Sequence, residues 1–357
     1  MTEVTEMLSN SIMSTKTWAS LFCVATMRLG AATACFDVLV LDADSLAPIE
    51  GVAVTGWFSN DNGWKAWTES APTYADEEIT DKYGFCHVKG ETNTGKTGVN
   101  IRHPPKGYYP NYFAIRYRFT QKPLLPFTHW RPTDLVITAR LQRVEHPVPL
   151  FVKRAGWKMG SDAIAKNEGE FAYDFQKGFL PPFGNGETAD VVFRCLAPKY
   201  LGEGKNGRGY TAPLYGNTVV AIFQGDEANG IWVSPMPDAQ AYLKIRNAPA
   251  EGYQRELSFS ESTSYDLQRR EGLDSNRCFC FRIRTVRDDV GKIKSALYGK
   301  IHGDIQLFMD GKDRWMQKIA GISFFYYLNP TPNDRNLEWD MKNNFCPKPG
   351  EILQPRP

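Results

Sequence analysis

The chain has 357 residues and a formal net charge of +2, from 42 Lys and Arg against 40 Asp and Glu. This near-neutral balance, without a basic run, argues against a nucleic-acid partner, and the length admits two domains with a core each. Aromatic content of 13% with 30 Gly and 23 Pro leans to strands and turns, and helical periodicity is scarce, so an all-β chain of two domains is expected.

At the N-terminus Lys16 precedes an apolar run over residues 18–27, and Ala31-Ala32-Thr33-Ala34 offers the small-x-small geometry that signal peptidase requires. A signal peptide over residues 1–34 is expected, with export to the periplasm or the cell surface. Glu3, Glu6 and Arg28 fit that pattern poorly, although a start at Met13 removes the first two. No later stretch approaches the roughly eighteen apolar residues of a membrane span. Cleavage after Ala34 leaves six cysteines, two in the first half (Cys35, Cys86) and four in the second (Cys195, Cys278, Cys280, Cys346). Even counts in both halves are what intradomain disulfides in an oxidising compartment produce. The alternative makes Cys35 a lipid-anchored terminus, but Ala32-Thr33-Ala34-Cys35 lacks the usual Leu and lipidation leaves an odd thiol. Cys278-Phe279-Cys280 places both sulfurs on one strand face with no second ligand pair, so no metal and no cofactor is expected.

From Phe36 the pattern turns to strands. Val38 and Val40, then Val52 and Val54, alternate with period two. Asp42-Ala43-Asp44-Ser45 with Pro48, and Thr80-Asp81-Lys82-Tyr83-Gly84, supply turn chemistry between them. A last strand over residues 135–141 closes the module. Pro48-Ile49-Glu50-Gly51-Val52-Ala53-Val54, the Thr80-to-Gly84 turn and the closing Gly107-Tyr108 together resemble the carboxypeptidase regulatory-like domain. That resemblance implies a transthyretin- or prealbumin-like β-sandwich over residues 35–145, a stalk or accessory module without catalytic residues. The segment 56–79 is longer and more aromatic than a plain loop, carrying Trp57, Trp64 and Trp67 among Asn60 and Asn62. Tryptophan faces stack on pyranose rings while amides bond sugar hydroxyls, so these five residues are candidate glycan ligands; otherwise they cap the sandwich as core.

His146-Pro147-Val148-Pro149 reads as a stiff linker because X-Pro units hold an extended backbone. Residues 150–346 then read as a second, larger, mostly antiparallel β domain, with 347–357 a tail. Cys278-Phe279-Cys280-Phe281-Arg282-Ile283 alternates most clearly, and Asp288-Asp289-Val290-Gly291 turns it back as a hairpin. Phe183-Gly184-Asn185-Gly186, Tyr298-Gly299-Lys300-Ile301-His302-Gly303-Asp304 and the run from Tyr326 to Glu338 resemble an uncharacterised group of exported bacterial proteins, which implies a fold and no activity.

Four further clusters invite chemistry. Asn333, Asp334, Asn336 and Glu338 offer calcium-type oxygens, though turns that pin a long connection are the preferred reading. Lys300 and His302 share a strand face near Asp304, but no nucleophile accompanies them. Asp174, Asp190, Asp226, Glu227 and Asp304 are available to a glycosidase pair, but any globular chain offers as many acids and the pattern assigns them no roles. Gly202, Gly204, Gly207 and Gly209 lack the ending of a phosphate loop. The chain is therefore read as a non-catalytic structural or ligand-binding protein with a glycan or surface-protein partner. A carbohydrate-active enzyme and a β-sandwich assembly module are the alternatives.

Overall fold

The structure is a computed structural model that describes residues 32–59, 72–101, 103–109, 111–119, 130–205, 211–235, 244–264, 269–271, 277–309 and 318–346. The chain is nearly all β, with one short helix among the described residues, and it divides into two compact units between Arg143 and Val144. No helix among the described residues is long and apolar enough to cross a membrane.

Unit 1 is a β-sandwich. Its strands are β1 (Ala32–Asp42), β2 (Ala53–Ser59), β3 (Pro72–Ile79), β4 (Phe85–Thr92), β5 (Lys96–Ile101), β6 (Asn111–Arg118) and β7 (Val136–Leu141). One sheet runs β4-β1-β7 and the other β3-β2-β5-β6. Period-two alternation sends Ala34, Phe36, Val38 and Val40 of β1 inward to meet Val54 and Phe58 of β2, Val88 of β4 and Val99 of β5. Truncating a ring as buried as Phe58, which is 1% exposed, costs about 3–5 kcal/mol. The turn after β1 is built by Asp42, whose Oδ1 accepts from the Asp44 and Ser45 backbone N–H groups at 3.1 and 2.8 Å. Gly84 occupies the turn before β4 with φ 78°, and a Cβ there would lie 2.6 Å from the Val40 carbonyl oxygen. The expected signal boundary after Ala34 falls inside β1, where Ala34 is a fully buried core residue.

Unit 2 comprises β8 (Val148–Lys158), α1 (Ser161–Lys166), β9 (Glu170–Asp174), β10 (Gly178–Phe179), β11 (Val191–Cys195), β12 (Lys199–Lys205), β13 (Thr211–Phe223), β14 (Gly230–Val233), β15 (Glu256–Ser264), β16 (Arg269–Glu271), β17 (Cys278–Arg287), β18 (Ile293–Met309), β19 (Ile319–Asn329) and β20 (Trp339–Asn344). One sheet runs β14-β17-β18-β19-β8-β20. The other runs β10-β9-β11-β13-β15-β16, with β12 also on β13. An aromatic core joins them: Phe175 stacks on Phe281 with centroids 4.2 Å apart, and Tyr173 meets Phe324 edge-on at 5.3 Å. The segment expected as a linker ends in β8, which opens at Val148. Pro149 is tolerated there because it sits at the start of a strand near the sheet margin.

Candidate functional site

Of the aromatic insertion, Trp57 is described; Asn60, Asn62, Trp64 and Trp67 lie outside the described residues. Trp57 stands on β2 on the side away from the Gly56 and Phe58 core face. It is half-buried, and its indole N–H is shut from solvent with no hydrogen-bond acceptor among the described residues.

The six cysteines Cys35, Cys86, Cys195, Cys278, Cys280 and Cys346 are all free thiols, and none of the expected disulfides is formed in this structure. Burial pushes the thiols of Cys86, Cys195 and Cys278 up to about 12, and raises that of Cys280 as well. Such thiols are protonated and poor nucleophiles. Cys278 and Cys280 share a face as expected, opposite His302 and Lys300 across the β17–β18 ladder. Cys35 lies within β1 opposite Lys89 of β4.

The glycosidase acids are each held by an arginine. Arg284 takes Asp174 and Asp190, Arg287 takes Asp226 and Glu227, and Arg277 sits 3.2 Å from Asp304. A general acid needs a raised proton affinity in a cleft. Asp174 shows the opposite: burial works to raise its pKa, but backbone N–H groups of Gln176, Lys177, Thr188 and Glu187 outweigh it and hold the carboxyl below its ordinary range. Lys300 and His302 do share a face, as their spacing predicts, yet both are sunk in protein. Lys300 Nζ donates to the Ile245 carbonyl at 3.0 Å and lies 5.1 Å from the Tyr327 ring centre. Burial lowers Lys300 to about 8 and His302 to about 4.

The oxygens of this loop are taken up by backbone N–H groups, within it and from other segments. Asn333 Oδ1 accepts from Ala296 N–H at 3.1 Å, and Asp334 Oδ1 from Asn336 N–H at 3.0 Å. Both oxygens of Glu338 accept, from Glu145 N–H at 2.6 Å and His146 N–H at 2.7 Å. Among the described residues no group of side chains is placed to hold a metal ion. Gly202 and Gly204 belong to β12, a strand paired with β13, which is not the strand-to-helix turn of a phosphate loop.

A different site emerges at the margin of the six-stranded sheet. β8 pairs with β19 from Phe151 to Lys158, but with β20 only at Val148 and Leu150. At Val152 the outward backbone groups are met by one side chain: Asn344 Oδ1 accepts from Val152 N–H at 3.0 Å, and its Nδ2 donates to the Val152 carbonyl at 2.7 Å. Antiparallel pairing alternates, so Arg154 and Gly156 turn their N–H and C=O groups to that same side. No described strand pairs with them there.

Beside this open stretch lies a cleft of about 610 Å³, with Phe179, Phe183 and Phe308 in its lining and Lys153, Arg154 and Lys177 contributing charge. Lys177 pairs with Glu187, and Arg154 Nε donates to Ser323 Oγ at 3.0 Å. Among the described lining residues these three cations stand with no carboxylate, which gives the cleft a positive lining. Its far wall is the Phe183-Gly184-Asn185-Gly186 motif, folded tightly enough that a Cβ on Gly184 would strike the Phe179 carbonyl and one on Gly186 the Gly178 carbonyl. The motif was visible in the sequence; the open edge was not, because it depends on which distant strands flank β8.

No family matches the sequence, and no curated protein matches it. Among solved structures the chain is similar to the Streptococcus agalactiae minor pilin GBS52 (14% identity, TM-score 0.23, 34% of this chain), of whose length it spans about half, 48%. The major pilin subunit BcpA of Bacillus cereus matches at 11% identity over 82% of this chain and 95% of its own, with TM-score 0.23. A DUF3823 family protein from Parabacteroides merdae matches at 7% identity over 82% and 96%, with TM-score 0.18. At these TM-scores the likeness defines no relationship.

Proposed function

We propose that the chain is an exported, non-catalytic β-rich protein whose second unit binds an extended polypeptide segment along the open stretch of β8. The carrying observation is the conjunction at that margin. Backbone groups of Arg154 and Gly156 face outward without a strand partner among the described residues, next to a positive cleft with aromatic walls. Strand addition uses such backbone groups for affinity and adjoining pockets for selectivity, and the charge selects a segment rich in carboxylates. The acids considered for catalysis are engaged by arginines, and Lys300 is sunk in protein, which supports a binding role. Unit 1 then serves as the accessory module that its carboxypeptidase regulatory-like sequence implies.

The test is fluorescence anisotropy with an extended peptide of alternating Glu and Val against the full chain. Saturable binding that Lys153→Glu with Arg154→Glu abolishes supports the reading; no binding by the folded wild type sinks it.

A further inference from the structure

The occupant of the β8 edge is present in the chain itself. β3 ends the order β3-β2-β5-β6 and forms a ladder only with β2 among the described strands; it also lies near β4, with which no ladder is formed. Its sequence ends Asp76-Glu77-Glu78-Ile79. Glu77 and Glu78 are exposed, and Ile79 is 57% exposed, high for an aliphatic side chain on a strand. Among the described strands at sheet margins, β3 is the one whose charges are all acidic.

We infer that β3 of one copy adds to β8 of a second copy, joining the molecules head to tail; this rests on the strand-addition reading of β8. Length is sufficient: β3 has 8 residues, more than the stretch of β8 from Arg154 to Lys158 that lies beyond the Val152 rung filled by Asn344. Charge is complementary, with Glu77 and Glu78 meeting Lys153, Arg154 and Lys177. Ile79 finds an apolar counterpart in the Phe183 and Phe308 side of the cleft. The same charges oppose the symmetric alternatives, since β8 on β8 sets Lys153 and Arg154 against their own copies, and β3 on β3 sets acid against acid. An edge that cannot pair with itself and pairs with a different edge makes a heterologous contact, which repeats unless the rotation closes.

Sedimentation velocity on the full chain, over about a hundredfold concentration range, reads the association directly. The weight-average mass rises with concentration and falls back in about 0.5 M NaCl, where the screening length shrinks to about 4 Å. Glu77→Lys with Glu78→Lys, and separately Lys153→Glu with Arg154→Glu, each weaken association at least about tenfold. Mixing the two charge-reversed proteins restores it, because each keeps one native edge, an outcome that global misfolding of either variant cannot produce. A wild type that stays monomeric throughout overturns the inference, as does association that both reversals leave intact. A monomer that still binds the Glu-Val peptide overturns the inference while leaving the reading of β8 standing.

Discussion

Arg284 grips Asp190 with two nitrogens, Nε to Oδ1 at 2.8 Å and Nη2 to Oδ2 at 2.9 Å. The same Nη2 reaches Asp174 Oδ1 at 2.8 Å. Arg284 belongs to the six-stranded sheet, Asp174 ends β9 of the other, and Asp190 directly precedes β11. The guanidinium therefore bolts the two sheets of unit 2 together. A bulge in the β17–β18 register between Ile283 and Val286 makes this geometry, placing Arg284 in the left-handed region at φ 54°. That conformation is strained for a side-chain-bearing residue and persists where its surroundings over-determine it.

Removing the bolt leaves two buried acids with backbone N–H partners but without their arginine counter-charge. Arg284→Ala is expected to lower the stability of unit 2 by about 3–5 kcal/mol in urea unfolding, more than Arg287→Ala, whose partners Asp226 and Glu227 are closer to solvent. Equal effects would show that the bolt adds nothing beyond an ordinary surface pair.

Asp42 makes the acid sensitivity of unit 1 calculable in sign. Burial works to raise its pKa, but the Ser45 backbone N–H, the Tyr108 and Ser45 hydroxyls and Arg143 together hold the carboxyl well below its ordinary range. The unfolded carboxyl takes up its proton near about 3.9, while the folded one does not. The stabilisation is thus complete above that pH and drains away as pH falls below it. Far-UV circular dichroism of an acid titration should show Asp42→Asn less stable at neutral pH and less steeply dependent on acid.

Lys300 and His302 predict the opposite limbs of unit 2. Burial holds His302 near about 4, below about 6.5 for the unfolded ring. Acidification through that window protonates the unfolded chain first and destabilises the fold. Lys300, lowered to about 8, sheds its proton before the unfolded side chain does near about 10.4, so stability rises with pH between them. Urea midpoints at neutral and alkaline pH should show this rise in the wild type and its loss in Lys300→Met.

Gly299 on β18 leaves no room for a side chain. A Cβ there would strike the Phe281 ring and the Tyr327 carbonyl. Gly299→Ala should cost about 1–3 kcal/mol by overpacking, read as a lowered midpoint. Gly156→Ala, whose Cβ would meet only the Ser323 side chain at 3.1 Å and Ser323 Cα at 3.9 Å, serves as the milder comparison.

Local pattern carried the strands and turns. The alternation of Val38 with Val40, the Asp42 turn and the positive φ of Gly84 each depend on neighbours in sequence. Cys278-Phe279-Cys280 read as a strand with one inward face, whereas both faces are buried, because residues arriving from Ile245 and Trp339 cover the second. That cover is a long-range fact. So is the Arg284 bolt, whose partners lie 94 and 110 positions away. The acids were noticed but could be given no role, since a carboxylate's role depends on what stands opposite it.

Asn344 has a consequence for how a guest strand would be received. Its carboxamide presents one acceptor and one donor to Val152, the same pair a neighbouring strand would present. It therefore fills a single rung of the ladder and stops. An arriving segment cannot slide past that rung, so its first bonded position is fixed at Arg154. A side chain contributed near the end of the fold thereby sets the reading frame in which any strand beside β8 would be laid down.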